Sequence, residues 1–177
     1  MFLTTARLTL RPQEQADAPA LFAILNDAQA MRFWHRPAIA RPAVAEELVR
    51  EQQAAMAEGL CRYWTVLEGG DAIGSVDLSL IEGGSAELGF LLRRDRWGLG
   101  LASEAAGAAI AHGFGPLRLD GLAAATQAGN EAAARVLEKN GFALRDRRLV
   151  FLAGGALVDC AFYLLRRKEH RPEPERP

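Results

Sequence analysis

Lysine is almost missing from this chain: Lys139 and Lys168 are the only two in 177 residues, and the net charge is −1. Without a lysine-rich face or a positive balance there is no electrostatic footprint for a nucleic acid. Histidine is nearly as scarce. His35, His112 and His170 show no spacing of metal-ligand type, so no metal is expected. Cysteine occurs twice, as Cys61 and Cys160, far apart in apolar surroundings and with no evident base partner. These read as reduced, buried thiols, which speaks against an acyl-cysteine intermediate. No apolar run approaches the roughly 20 residues that cross a bilayer. The first seven residues lack the basic segment and long apolar run of a signal peptide, so a cytoplasmic protein without a membrane partner is expected. With 50% hydrophobic and 24% charged residues, the chain has enough apolar material for one globular domain with a true core.

Strand and helix patterns alternate along that domain. Leu8-Thr-Leu-Arg-Pro12 closes a short alternating strand. A helix follows from about Asp17, with Leu21, Ile24 and Leu25 on one face, and Asn26-Asp27 marks its exit. The segment Met31-Arg-Phe-Trp-His-Arg-Pro37 is loop-like. A second helix covers 42–58, with Pro42 suited to its first turn and Gly59 to its C-terminal end. Strands are predicted over 61–68, 72–82 and 85–92, separated by the turn signals Gly69-Gly70-Asp71 and Gly83-Gly84. An alanine-rich helix runs to about Phe114. A strand over 117–126, a short helix over 130–140 ended by Gly141, and a hairpin of 144–152 with 156–165 about Gly154-Gly155 complete the domain at 166. The charged, proline-rich tail 167–177 is expected to be disordered. The class is α+β: a mostly antiparallel sheet with one strand–helix–strand crossover.

The crossover carries the chemistry. Glu87-Leu-Gly-Phe-Leu-Leu92 ends in the charged turn 93–96, and Gly98 and Gly100 open the alanine-rich helix. Strand, glycine turn and helix N-terminus in that order form an anion site, because backbone N–H groups point outward with the positive end of the helix dipole behind them. Gly98, Gly100 and Ala102 have little or no side chain, so a phosphate can approach the main chain. A Walker A loop is excluded, since no Gly-Lys-Ser/Thr occurs. A dinucleotide fold is excluded by the mid-chain position of the turn and the missing third glycine.

Trp97-Gly-Leu-Gly-Leu-Ala-Ser-Glu-Ala105 resembles the cofactor motif of the Gcn5-related N-acetyltransferases (GNAT), in the form used by the branch of the ribosomal-protein N-terminal acetyltransferases (RimJ/RimL-like). Thr5-Ala-Arg-Leu-Thr-Leu-Arg-Pro12 is similar to that branch's first strand. Asn130-x-x-Ala-x-x-Val-Leu-Glu-Lys-Asn-Gly-Phe142 is similar to its second signature. The three lie in the expected order and span about residues 4–165. The resemblance implies a three-layer α/β fold with about seven strands and helices on both sheet faces. It also implies direct acetyl transfer from acetyl-CoA, as co-substrate, to a primary amine: a protein N-terminus, or a small polyamine or antibiotic.

On this resemblance the pyrophosphate meets the backbone of Gly98, Leu99, Gly100, Leu101, Ala102 and Ser103, with Trp97 beside it. The pantetheine arm pairs with Leu91, Leu92 and Arg93, and the Leu91 amide polarises the thioester carbonyl. Asn130 contacts the pantetheine or the loop beside it, although asparagine there also suits a plain helix N-cap. Phe33 and Trp34 overhang the acceptor site. Glu87 is the first candidate general base and Asp77, on the preceding strand, the second; a salt-bridged or solvated role is the plainer alternative for each. The branch often has serine three residues after the asparagine, as a partner for the departing thiolate. Here that residue is Ala133, so the proton donor is open, and a non-enzymatic acyl-CoA sensor stands as the alternative function. An exposed strand or apolar hairpin such as 156–165 would offer a homodimer surface.

Overall fold

The computed structural model describes residues 1–152 and 155–170. The apolar alternation in the sequence becomes one eight-stranded sheet. Its strands are β1 (Leu3–Thr4), β2 (Leu8–Pro12), β3 (Arg62–Glu68), β4 (Asp71–Glu82), β5 (Ser85–Leu92), β6 (Gly121–Gln127), β7 (Ala143–Phe151) and β8 (Leu157–Arg166), in the order β1-β2-β3-β4-β5-β6-β8-β7. Every neighbouring pair is antiparallel except β5 and β6, which are joined through a helix and run parallel. The two-residue β1, paired with Thr9 and Leu10, is the strand beyond the seven expected.

Among the described residues four α-helices cover the two sheet faces: α1 (Ala18–Leu25), α2 (Pro42–Ala57), α3 (Leu101–Phe114) and α4 (Glu131–Lys139). Ala105, Ala106, Ala109 and Ile110 of α3 are fully buried against Val76, Leu78, Leu88 and Leu122, since small alanines let the helix lie close on the sheet. On the opposite face Leu21, Ile24 and Leu25 of α1 and Val49 of α2 enclose Leu91 with Met31. Alternation along β5 therefore sends Leu88 and Leu92 to one core and Leu91 to the other. Among the described residues, no helix is long and apolar enough to cross a membrane.

Two boundaries differ from the sequence expectation. The strand predicted from residue 117 starts at Gly121. Gly115 and Pro116 end α3, and the chain turns at Arg118 (φ +53°) while the Leu119 N–H donates back to the Gly113 carbonyl. At the far end, Arg167–Glu169 forms a 3-10 turn whose Arg167 side chain donates to the Leu119 carbonyl at 2.6 Å. The rest of the expected tail, 171–177, lies outside the described residues, as does Gly154 of the last hairpin turn.

A buried ion pair fixes where α1 begins. Asp17, 5% exposed, takes both Arg11 guanidinium nitrogens (2.8 and 2.6 Å), the Glu14 N–H (2.8 Å) and the Thr65 hydroxyl (2.6 Å). Burial alone would raise its pKa, but these donors together hold it below the usual carboxylate range. A depressed pKa adds stability above the unfolded carboxylate value of ~3.9 and loses it as pH falls through the folded value. Asp17→Asn is expected to lower unfolding free energy by roughly 2–4 kcal/mol at neutral pH. In urea titrations the difference from wild type should shrink steadily as the pH is taken below ~4.

Candidate active site

The parallel strands β5 and β6 pair at only three positions, Ser85–Gly121, Ala86–Leu122 and Glu87–Ala123, and then part. Beyond Glu87 the β6-facing edge of β5 has no strand partner among the described residues. The register on its other edge decides which groups are free there. The Arg93 N–H donates to the Ile73 carbonyl at 2.8 Å, so 93 and 73 form a hydrogen-bonded pair. Along the same register Leu91–Ser75 and Gly89–Asp77 are hydrogen-bonded pairs too, with Leu92 and Phe90 alternating between them. The N–H groups of Phe90 and Leu92 therefore face the gap, and that of Leu91 faces β4. This corrects the expectation for Leu91: its amide is turned into the sheet and its side chain into the α1–α2 core. Trp97, 48% exposed, donates its indole N–H to the Leu92 carbonyl at 2.9 Å and ties the glycine turn to the end of β5.

The glycine turn predicted as an anion site has a left-handed backbone at both glycines. Gly98 (φ +74°) and Gly100 (φ +78°) are left-handed, a conformation that residues with a Cβ rarely adopt, and space around Gly98 is open. Gly100 caps α3, and Leu101, Ala102 and Ser103 form its first turn. The charged side chains before it are engaged in holding the loop. Arg93 bridges Asp71 (2.9 Å) and Asp95 (2.7 Å), and Arg96 bridges Glu68 and Asp95 (both 2.8 Å). Glu104 receives the Thr5 hydroxyl (2.6 Å), the Arg7 N–H (2.9 Å) and the Arg7 guanidinium, which also donates to the Leu99 carbonyl (2.9 Å). The opening segment of the chain thus clamps the cradle from behind. Sequence reading had both segments and no means of pairing them.

Across the gap, Asn130 accepts the Ala133 N–H at 3.2 Å, the plain N-cap role, while also lining the cleft. The Ser103 carbonyl accepts from the Asn140 side chain at 3.2 Å, joining α3 to α4. The loop between α1 and α2 reaches over to β6. Gln127 donates to the Trp34 carbonyl at 3.0 Å, and Phe33 lies against Gly129, 3.8 Å from where a Cβ there would stand. The cleft enclosed by these elements measures about 1520 Å3.

Its floor on the α1–α2 side is made of two cross-strand rows, Ser79–Glu87 and Tyr63–Asp77–Gly89. Asp77 is 8% exposed, and burial, with a smaller push from the Glu87 charge, raises its carboxyl to about 7 against the pull of Ser79. Burial raises Glu87 as well, and it lifts the Tyr63 phenol well above its usual value. The Asp77 carboxylate lies over Gly89: a Cβ added there would stand 2.5 Å from its Oδ1. Gly89 is a residue that sequence reading passed over, since a lone glycine inside a strand has several causes. Of the α2 wall, Gln52 keeps a buried Oε1 without a hydrogen-bond partner. Among the described residues no cluster of three His, Cys, Asp or Glu side chains could hold a metal.

The family model described as "Acetyltransferase (GNAT) domain" matches residues 7–143. An uncharacterized N-acetyltransferase p20 of Bacillus licheniformis is 29% identical over 176 residues, covering 95% of this chain and 97% of its own length. Among solved structures, a GNAT-family acetyltransferase from Bacillus anthracis superposes with TM-score 0.85 at 22% identity, covering 96% of this chain and 100% of the other. RimL, a ribosomal L7/L12 alpha-N-protein acetyltransferase in complex with coenzyme A, does so with TM-score 0.86 at 18% identity, over 94% and 98%. A spermidine N-acetyltransferase from Vibrio cholerae, in complex with CoA and spermine, gives 0.82 at 22%, over 93% and 98%. At these identities the structural likenesses establish the fold, and the family model, which covers most of the chain, establishes the kinship. The chain therefore belongs to the GNAT family and is an acetyltransferase.

Proposed function

We propose that the protein transfers an acetyl group directly from acetyl-CoA to a primary amine, in a complex that holds both at once. The observation that carries this reading is the parting of β5 from β6 after Glu87: a free strand edge over 88–92 leads, through the turn at 93–97, to the left-handed glycines that open α3. The residues present fit coenzyme A. The Phe90 and Leu92 edge suits an amide-bearing pantetheine arm, and the N–H groups at 98–103 suit a pyrophosphate. Arg135 and Lys139 on the cleft-lining face of α4 add positive charge at the same end.

Bound there, acetyl-CoA supplies an activated acetyl thioester. The Phe90 N–H, in place of that of Leu91, donates toward the thioester oxygen and strengthens as charge develops on it. Asp77 is the general base. Its carboxylate extends over Gly89 toward the gap, and a carboxyl near 7 is half ionised at neutral pH yet still accepts a proton. Glu87 lies one row away and adds a smaller upward push to that of burial. The amine's own acidity favours one class of acceptor. An α-amine, at ~7.7–8.0, has far more of its neutral form at pH ~7 than an alkyl amine at ~10.4, and so asks less of the base. We assign the acceptor as an α-amine of the protein N-terminal type, with small alkyl amines as the poorer class.

Thiol release from acetyl-CoA, followed with N-terminal peptides and with simple alkyl amines, tests this directly; no acceptor-dependent release from any amine would sink it. Gly100→Glu, which puts bulk and negative charge at the cradle, should reduce coenzyme A affinity by at least about 100-fold by calorimetry, while the circular dichroism spectrum stays that of wild type. Asp77→Asn should abolish the rise in kcat/KM through about pH 7. An acid whose folded pKa is raised costs stability as pH climbs from its unfolded value to its folded one, so the same variant should melt higher than wild type at pH ~8 and gain nothing at pH ~4.

A further inference from the structure

The transfer proposed above leaves a sulfur anion behind as the carbon–sulfur bond breaks, and Ala133 has no group to meet it. We infer that the Thr126 hydroxyl on β6 is the hydrogen-bond donor to the departing sulfur. This inference rests on the acetyl-transfer reading.

Five hydroxyl-bearing side chains line the cleft: Tyr63, Ser75, Ser79, Ser103 and Thr126. Tyr63, Ser75 and Ser79 belong to β3 and β4, which lie on the far side of β5 from the gap. Ser103 sits in the first turn of α3, at the phosphate end. Thr126 alone stands on the wall of the gap itself. The last paired residues are Glu87 and Ala123, and three residues further along each parallel strand come Phe90 and Thr126. The amide assigned to the thioester oxygen and the Thr126 side chain thus flank the gap at one level.

Thr126 is also a weakly engaged group. It is 8% exposed, and among the described residues its hydroxyl makes one hydrogen bond, to the neighbouring Gln127 carbonyl at 3.5 Å, the outer limit of such a bond. A buried hydroxyl so weakly engaged is costly unless something else receives its proton. A threonine chosen only for strand propensity would be served as well by valine. Cys160 pairs with Gln127 and, one residue out of step with Thr126, points to the other face of the sheet.

In the step itself the amine nitrogen forms its bond to the acetyl carbon and the sulfur leaves with the electron pair of the broken bond. Asp77 takes the proton released by nitrogen, and the Thr126 O–H is shared with the sulfur without full transfer. A neutral hydroxyl can do this because a thiolate needs solvation more than protonation: thiols ionise near ~8.5.

The ionisation of bound coenzyme A tests the assignment without relying on turnover. Thiolate absorbance is titrated in wild type, Thr126→Val and Thr126→Ser, each referenced to the same protein carrying desulfo-coenzyme A, which cancels Cys61 and Cys160. The bound thiol should ionise at lower pH in wild type and Thr126→Ser than in Thr126→Val. Acetyl-CoA affinity should be equal in all three, and kcat should fall about 10- to 100-fold in the valine variant alone. Identical thiol titrations in the three proteins would overturn the role of Thr126 and leave the acetyl-transfer reading standing. Failure of the wild-type protein to bind coenzyme A would overturn both.

Discussion

The parting of β5 from β6 after three residue pairs is the constraint on which the rest of the structure depends. A sheet interior ordinarily satisfies every backbone N–H and C=O, and an unpaired edge inside a fold is costly. Here the edge is kept open at one place, between two cores that are otherwise closed: α3 and α4 pack one face and α1 with α2 the other. The opening is bounded by contacts that hold its walls. Trp97 takes up the Leu92 carbonyl, Gln127 holds the α1–α2 loop, and Asn140 ties α3 to α4. A ligand whose spine carries amides would complete the missing ladder.

Charge is distributed around that opening by burial as much as by sequence. Asp77 and Glu87 share the floor on the α1–α2 face, and both are raised because the carboxylate form is poorly solvated there. Asp17, no more exposed, is held in the opposite direction because Arg11, Thr65 and a backbone N–H converge on it. The contrast shows that converging donors reverse the sign that burial alone would set. One aspartate anchors α1 to the sheet, while the other is left short of donors beside a cleft. An under-satisfied carboxyl is poor for stability and useful for proton transfer.

Several local readings held because their causes are local. Pro42 starts α2, Asn130 caps α4, and glycines occupy the turns at 69–70, 83–84 and 98–100 with positive φ. The helix and strand assignments follow the 3.6- and two-residue periods of the apolar residues. The strand expected from 117 failed because Leu117 and Leu119 are apolar for another reason: they cover the end of α3 after a turn at Arg118. Alternation cannot distinguish a strand from a turn whose side chains are also buried.

By itself the sequence determined the elements, since periodicity and turn chemistry select them, and the resemblance of the segments at 5–12, 97–105 and 130–142 to the GNAT pattern implied their arrangement. It also marked 98–103 as the candidate anion site, because glycine and a helix start together present free N–H groups. Only the tertiary structure decided which groups face the gap. Backbone direction in a strand reverses with every residue, so a shift of one exchanges Leu91 for Phe90, and that parity is set by the partner strand. The closeness of Thr5 and Arg7 to Glu104, of Asp77 to Gly89, and of Thr126 to the level of Phe90 are likewise products of packing between segments distant in the chain. No local pattern encodes such distances, and these contacts bring together the groups to which we assign the chemistry.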